Sequence, residues 1–364
     1  MQIRELVNYL NTAIPPGLQE DYDNAGLLVG DPGSELKGIM LSVDVTEKVV
    51  DEALDKGANF ILSHHPLIFH GLKRITGQNH VERSVLKAIK NNIAIYAAHT
   101  NLDNLKGGIN FLLADKLGLT NQQILRPRRN QLVKLVFFVP HDYADHVRKA
   151  VFYAGAGMIG DYDQCSYNLE GQGTFRPGEA ANPFAGKKGQ MRLEDETRVE
   201  TFFPDYLTDR VIEAMVKAHP YEEVVYDLYP LKNHDKDAGA GLIGDLEPKM
   251  AEKEFLDLIK EKIQSPCIRH TKFLYSFVSR VAISAGSGSF LLKDAMAQQA
   301  DVFISADFKY HDFFEADEKI FIADVGHYES EKMSKEFFYD LVTKKFPNFA
   351  IHLSAVDTNP INYY

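Results

Sequence analysis

Apolar and polar positions divide the chain into short, alternating segments. Leu6 to Leu10 falls on an N-terminal helix that must stop before Pro15-Pro16, since proline lacks the amide a helix interior needs. Ile39 to Val43 is an unbroken apolar run of strand length, the pattern of a strand covered on both faces. Glu47 to Lys56 then reads as a helix, and Phe60 to Leu62 as a second strand running into Ser63-His64-His65-Pro66. Val81 to Asn91 is another helix, and Ile93 to Ala98 a third strand that ends at His99. This alternation predicts helices packed on a largely parallel sheet. In such sheets ligands collect beyond the carboxyl ends of the strands.

The texture changes near Arg126-Pro127-Arg128-Arg129. Leu132 to Val139 reads as a strand and Ala144 to Ala154 as a helix. After a glycine-rich region come strand-like Ser166 to Phe175 and Arg192 to Phe203, a helix from Leu207 to Ala218, and a last strand from Glu223 to Tyr229. The order β-α-β-β-α-β is that of a ferredoxin-like α+β unit. Asn233-His234-Asp235-Lys236-Asp237 reads as a polar exit linker, and α/β alternation then resumes to Tyr364. The expected organisation is a split α/β outer domain, with a first lobe at 1–128 and a second at 234–364, into which the unit at 129–233 is inserted.

The two outer parts resemble each other. Ser42-Val43-Asp44 begins 21 residues before Ser63, and Ser284-Ala285-Gly286 begins 21 residues before Ser305. Glu52-Ala53-Leu54 aligns without gaps on Asp294-Ala295-Met296, and Ala58-Asn59-Phe60 on Ala300-Asp301-Val302. Further on, His99 stands four residues before Asp103, and His327 four before Glu331. Two α/β halves related by a quasi-twofold would bring these strand tips together.

Composition and charge narrow the function classes. The 364 residues exceed one ordinary domain, and 45% apolar with 25% charged residues is a folded mixture. No apolar run approaches the ~18–20 residues of a membrane span. The opening Met-Gln-Ile-Arg-Glu-Leu lacks a secretion pattern, so the expected location is cytoplasmic. Two cysteines, Cys165 and Cys267, exclude a disulfide framework and a thiolate zinc cluster. The formal charge of −11, with no basic aromatic stripe or reading helix, disfavours nucleic acid as a partner. A bound metal is a simple way to make a local positive site on such a surface.

Three histidines and two carboxylates stand at three predicted strand ends: His64, His65, Asp103, His327 and Glu331. Imidazole and carboxylate suit zinc, iron, manganese or nickel, and carboxylates can bridge two ions. Pro66 keeps His64 and His65 extended and able to diverge toward neighbouring ions. Two ions within ~4 Å need bridges, for which Asp103 and Glu331 are the natural choice. Taken singly, the features have bland readings: a surface His-His pair, or a helical i, i+4 pair of His327 and Glu331 on a solvated face. Their convergence favours metal. His99 is expected to orient Asp103, with a further ligand and a core histidine as alternatives. Gly286-Ser287-Gly288-Ser289-Phe290 can present amides to a phosphate but is more often a tight turn, and it lacks a P-loop's Lys-Ser/Thr. Lys73, Arg74 and Lys309 are candidates to neutralise an anion, each more readily a solvated charge.

Four motifs make the sequence recognisable: Asp21-Tyr22-Asp23-Asn24-Ala25-Gly26 with Leu27 to Gly30, Ser63-His64-His65-Pro66 with Leu67 to Gly71, Ala98-His99-Thr100-Asn101-Leu102-Asp103, and Asp324-Val325-Gly326-His327-Tyr328-Glu329-Ser330-Glu331. They resemble the NGG-one-interacting factor three family, with its YqfO/YbgI-like bacterial members, many labelled GTP cyclohydrolase I type 2 homologues. The resemblance implies a two-lobed α/β protein with a dinuclear metal site between lobes, held by His64, His65, Asp103, His327 and Glu331, and assembled as a toroidal homohexamer. Cys165-Ser166-Tyr167, Gly171 to Pro177 and His219-Pro220-Tyr221-Glu222-Glu223 resemble the PII/CutA-like insert of longer members. That insert could sense a ligand, cap the ring or widen an interface, with turn and packing roles for these residues equally in view. Two positions depart from the pattern: Tyr22 stands for a common Trp, and Ser305-Ala306-Asp307 for Thr-Gly-Asp, which weakens a substrate role for Asp307 and His311.

The leading expectation is a hydrolase using two divalent metal ions on a small anionic or nucleotide-like substrate, with His99, Asp307 or His311 passing protons. The rivals are a non-enzymatic metal-binding or metal-delivery scaffold and a regulatory or interaction protein whose insert reads a metabolite.

Overall fold

Three of the apolar runs, as strands Gly38–Ser42, Phe60–Ser63 and Ala94–Ala97, are buried along their whole length and pair in parallel. Burial on both faces explains why these runs lack a polar face. Helix Glu47–Asp55 is capped by Thr46, whose side chain accepts from the Val49 amide, and buries Val49, Val50 and Ala53. Helix His80–Lys90 is capped by Asn79, and the Glu82 carboxylate reaches back to the amides of Thr76 and Gln78. Such caps satisfy donors that the first turn of a helix leaves open.

The computed structural model describes all 364 residues. They form two compact units, Met1–Arg126 with Ala238–Tyr364, and Pro127–Asp237. No helix is long and apolar enough to cross a membrane.

The split unit contains two sheets. The first is ordered Gly26–Val29, Ala94–Ala97, Phe60–Ser63, Gly38–Ser42, Ala350–Leu353. The second is ordered Arg269–His270, Phe321–Asp324, Val302–Ala306, Val278–Ser287, His234–Met250, Leu119–Arg129. Each begins with an antiparallel edge strand followed by three parallel strands in the same chain order. Each edge strand is also preceded in sequence by a helix, Ile3–Ala13 or Glu252–Ile263. Alternate side chains of both sheets meet in one core: Ile39, Leu41, Phe60 and Leu62 from the first, with Ile283, Ile304 and Phe321 from the second. Their neighbours face outward into separate clusters, Met40 and Ile61 in one, Phe303 and Ile322 in the other. The C-terminal strand Ala350–Leu353 joins the first sheet beside Gly38–Ser42.

Two stretches differ from the sequence reading. The polar run Asn233–Asp237 is not a linker, because strand His234–Met250 begins within it. Asp235 is buried between exposed neighbours and accepts from the Asp237 amide, so its polarity belongs to a paired strand. The basic run at 126–129 likewise lies in strand Leu119–Arg129. The chain therefore passes from one compact unit to the other inside strands, after Arg126 and after Asp237.

In Pro127–Asp237 the sheet is ordered Tyr167–Phe175, Arg192–Pro204, Leu132–Pro140, Tyr226–Leu231, and every pair is antiparallel. Helices Ala144–Tyr153 and Thr208–Ala218 pack Val147, Val151, Val211 and Met215 on one face, against Leu135, Phe137, Val199 and Phe203.

Asn110 ties the halves of the split unit. It is 2% exposed, accepts from the Ala285 amide at 2.8 Å and donates to the Asp103 carbonyl at 3.0 Å. Truncation in Asn110→Ala leaves a buried amide unpaired, costing about 1–3 kcal/mol. A lower urea midpoint with an unchanged denaturant slope is the expected result.

Candidate metal centre

His64 and His65 leave strand Phe60–Ser63 with both amides donating to the Val43 carbonyl, at 3.1 and 2.9 Å. These bonds and Pro66 hold the pair extended. Asp103 lies on the short helix Thr100–Asp103 just beyond strand Ala94–Ala97, with His99 at its start. His327 and Glu331 occupy the short helix His327–Glu331 beyond strand Phe321–Asp324. They are an i, i+4 pair, but Glu331 is only 2% exposed, so this is no solvated face.

Gly286 makes room for that carboxylate. Its φ is +62°, and a Cβ there would lie 2.0 Å from Glu331 Oε1 and 3.3 Å from His327 Nε2. Its amide donates to Ser330 Oγ at 2.9 Å, so the glycine loop accommodates Glu331 instead of offering this amide to a phosphate.

Each imidazole is fixed from behind. His64 Nδ1 donates to the Ala98 carbonyl at 2.9 Å, which leaves the Nε2 lone pair pointing inward. That Nε2 is buried without a hydrogen bond, 3.6 Å from Glu331 Oε1 and 3.7 Å from Asp103 Oδ1. His65 Nδ1 meets Asp44 Oδ1 at 2.7 Å, and His327 Nδ1 meets Asp307 Oδ2 at 2.7 Å. Their Nε2 atoms lie 2.9 and 3.0 Å from Glu331 Oε2 and 3.2 Å from each other. Asp103 Oδ1 is also buried without a hydrogen bond, and Glu331 Oε2 has only these two imidazole nitrogens beside it. The ligand atoms of His64, His65 and Glu331 all fall within 4.8 Å of one another, a group that can hold a metal ion. Orphaned nitrogen and oxygen donors converging from oriented histidines fit a divalent cation.

His99 departs from expectation. Its Nδ1 bonds Asp23 Oδ1 at 2.7 Å, so Asp23 orients His99 and His99 does not orient Asp103. The Asp23 side chain is fully buried and also accepts from the Thr100 amide and hydroxyl. The His99 ring stands 5.5 and 5.4 Å from those of His64 and His65. His311 is not brought to the cluster. It is exposed on the 3₁₀ turn Tyr310–Ala316, with its ring against Tyr310 and Phe314. Lys73, Arg74 and Lys309 are exposed.

Three groups escaped the sequence reading. Asp23 and Asp44 were visible only as acids in a motif and at a strand end. Thr358, on the C-terminal tail, donates to Asp44 Oδ2 at 2.6 Å and so braces the carboxylate that holds His65. No local signal marks a residue so distant in sequence.

Electrostatics bind protons tightly here. Burial would lower His65, but the Glu331 and Asp44 carboxylates override it and push the imidazole up to about 10. His327 is likewise opposed by burial, yet Glu331 and Asp307 push it up to about 11. Fully buried His64 goes the other way, lowered by desolvation against the pull of Glu331. Asp103 is raised well above the usual carboxylate range by burial and by Glu331. Burial would also raise Glu331, but His64, His327 and His65 outweigh it and hold its carboxyl well below. For Asp23, burial is outweighed by the His99 and Thr100 hydrogen bonds, which bring it down to about 2.

The Duf34/NIF3 (NGG1p interacting factor 3) family model matches residues 1–360. The chain belongs to this family. Over 354 residues it is 40% identical to a protein of Halalkalibacterium halodurans named GTP cyclohydrolase 1 type 2 homolog, covering 96% of this chain and 95% of that one. A Bacillus subtilis protein of the same name is 38% identical over 367 residues, 99% of this chain and 98% of the relative. The crystal structure of a Bacillus cereus protein related to NIF3 superposes with a TM-score of 0.87 at 39% identity, covering 100% of this chain and 99% of that one. In this family member His64, His65 and Glu331 of those motifs form the metal-competent group, with His327 Nε2 3.0 Å from Glu331 Oε2 and Asp103 Oδ1 3.7 Å from His64 Nε2.

Three outcomes are expected. Because His65 and His327 hold protons up to about 10 and 11, an ion that takes their Nε2 atoms must displace them. Zinc affinity should therefore rise with pH through the neutral range, with proton release seen as a buffer-dependent heat in calorimetry; heats independent of the buffer would contradict these protonation states. Asp44→Asn should weaken metal binding about 10–100-fold in chelator competition, as loss of a ligand-orienting carboxylate does. Thr358→Val should weaken it less.

Proposed function

We propose that the protein is a dinuclear metal hydrolase acting on a small anionic or nucleotide-like substrate. The observation that carries the proposal is the division of donors across Glu331: His64 faces Oε1, while His65 and His327 face Oε2. On this reading His64, Asp103, His65, His327 and Glu331 would hold the two ions. Histidine and carboxylate donors accept zinc, iron, manganese or nickel. Such a pair supplies Lewis acidity, polarising the bond under attack and acidifying water toward neutral pH.

The chain's own residues do the rest. Asp44 and Asp307 fix the tautomers of His65 and His327. Asp23 holds His99 through Nδ1, which leaves Nε2 to pass a proton, the ring standing 5.5 and 5.4 Å from those of His64 and His65. Asp307 is thus read as a positioning residue, and His311 has no part in the step. The name shared by the relatives supports GTP as the first substrate to test. By the family resemblance we further read a cytoplasmic homohexamer and a PII/CutA-like insert, the latter supported by the 4-1-3-2 order of the small sheet. A non-enzymatic metal scaffold is the alternative.

The test is elemental analysis of untagged protein, paired with turnover of GTP and a panel of phosphoesters after metal removal and return. About two metals per chain with metal-restored turnover, both lost in Glu331→Ala, is the expected result. His99→Gln should keep the metals and lose about 10²–10⁴-fold in turnover. Metal without turnover on any substrate would favour the scaffold, and two metals retained in Glu331→Ala would overturn the ligand assignment.

A further inference from the structure

The unit Pro127–Asp237 holds a cavity of about 680 Å³, a size typical of small-molecule sites. Strand alternation places Phe138, Glu196 and Arg198 on the sheet face turned away from the two helices, and all three line the cavity. Phe175, Tyr221 and Phe184 form an aromatic wall, with ring centroids 6.1 and 6.0 Å apart in sequence around Tyr221.

Glu196 is the unusual member. It is 8% exposed, and its hydrogen bond is from the Tyr221 hydroxyl to Oε1 at 2.8 Å. Gly173 allows its position, since a Cβ there would lie 2.1 Å from Oε2. No cation of the chain pairs with it: Arg198 turns to Glu200 at 2.9 Å. The His219-Pro220-Tyr221 motif holds the wall in place. His219 Nε2 donates to the Phe138 carbonyl at 2.9 Å, Nδ1 accepts from the Tyr221 amide at 3.1 Å, and the two rings lie 5.0 Å apart.

A buried carboxylate without a cationic partner is costly, and aromatic faces attract cations. We propose that this cavity binds a small organic ammonium ion with an apolar or aromatic body, the ammonium seated at Glu196 and the body against Phe175, Phe184 and Tyr221. The site is independent of the metal centre and of the hydrolase reading.

The experiment is calorimetry on the full-length protein with four probes: phenethylamine, 2-phenylethanol, phenylacetate and ammonium chloride. Phenethylamine should bind at least tenfold more tightly than the neutral, anionic and body-less probes. Glu196→Gln keeps an acceptor for Tyr221 and should erase the preference for the amine. Phe184→Ala, at a half-exposed position, should weaken all three aromatic probes without disturbing the fold. No binding of phenethylamine, equal binding of the anion, or an undiminished preference in Glu196→Gln would each overturn the proposal.

Discussion

The arrangement of the split unit depends on one buried carboxylate. Glu331 is nearly inaccessible to solvent, and an isolated charge in that position would be strongly unfavourable. It persists because three imidazoles face its two oxygens and because Gly286 offers no Cβ where Oε1 lies. The imidazoles need support of their own, from the Ala98 carbonyl, Asp44 and Asp307. Asp44 in turn takes a bond from Thr358. Parts of the chain more than three hundred residues apart in sequence thus close around a single side chain. A small error in any layer would leave a buried donor or acceptor unpaired.

The duplicated sheet explains how so many groups arrive at one place. Matching strand ends in the two halves carry unlike residues. After the second parallel strand, the first half presents His65, which faces Glu331, while the second presents Asp307, which steadies His327. At the end of the first parallel strand, Asp44 steadies His65 in one half, and Gly286, still within its strand, clears space for Glu331 in the other. Beyond the third, His327 reaches the cluster, whereas its counterpart His99 is held by Asp23. One scaffold is used twice, with donors on one side opposed by orienting groups or bare backbone on the other.

This pattern also decides what was legible in the sequence. The buried parallel strands were readable because covering both faces forces continuous apolar runs, and the strand ends pointed to His64, His65, Asp103, His327 and Glu331. The orienting acids were not, because Asp23 and Asp44 look like any loop carboxylate until the fold brings an imidazole to them. His311 sits in a recognisable motif, yet the 3₁₀ turn at Tyr310–Ala316 carries it to the surface. The linker at 233–237 misled for a related reason: polarity marks solvent on one face, which a paired strand satisfies as well as a loop does.

Charge sets the remaining constraint on chemistry. Asp23, Asp44, Asp103, Asp307 and Glu331 surround four imidazoles, in a chain whose formal charge, these included, is −11. Left to these residues alone, the site repels an anion at both long and short range. An anionic substrate can be accommodated only where cations outweigh the carboxylates, so on the hydrolase reading ion and substrate binding are thermodynamically linked. On that reading the ion would have two inseparable tasks, activating the reaction and making the pocket attractive to the substrate at all. Raising salt screens the repulsion from the distant surface charge but hardly affects buried pairs, so the short-range part of this linkage should persist at high ionic strength.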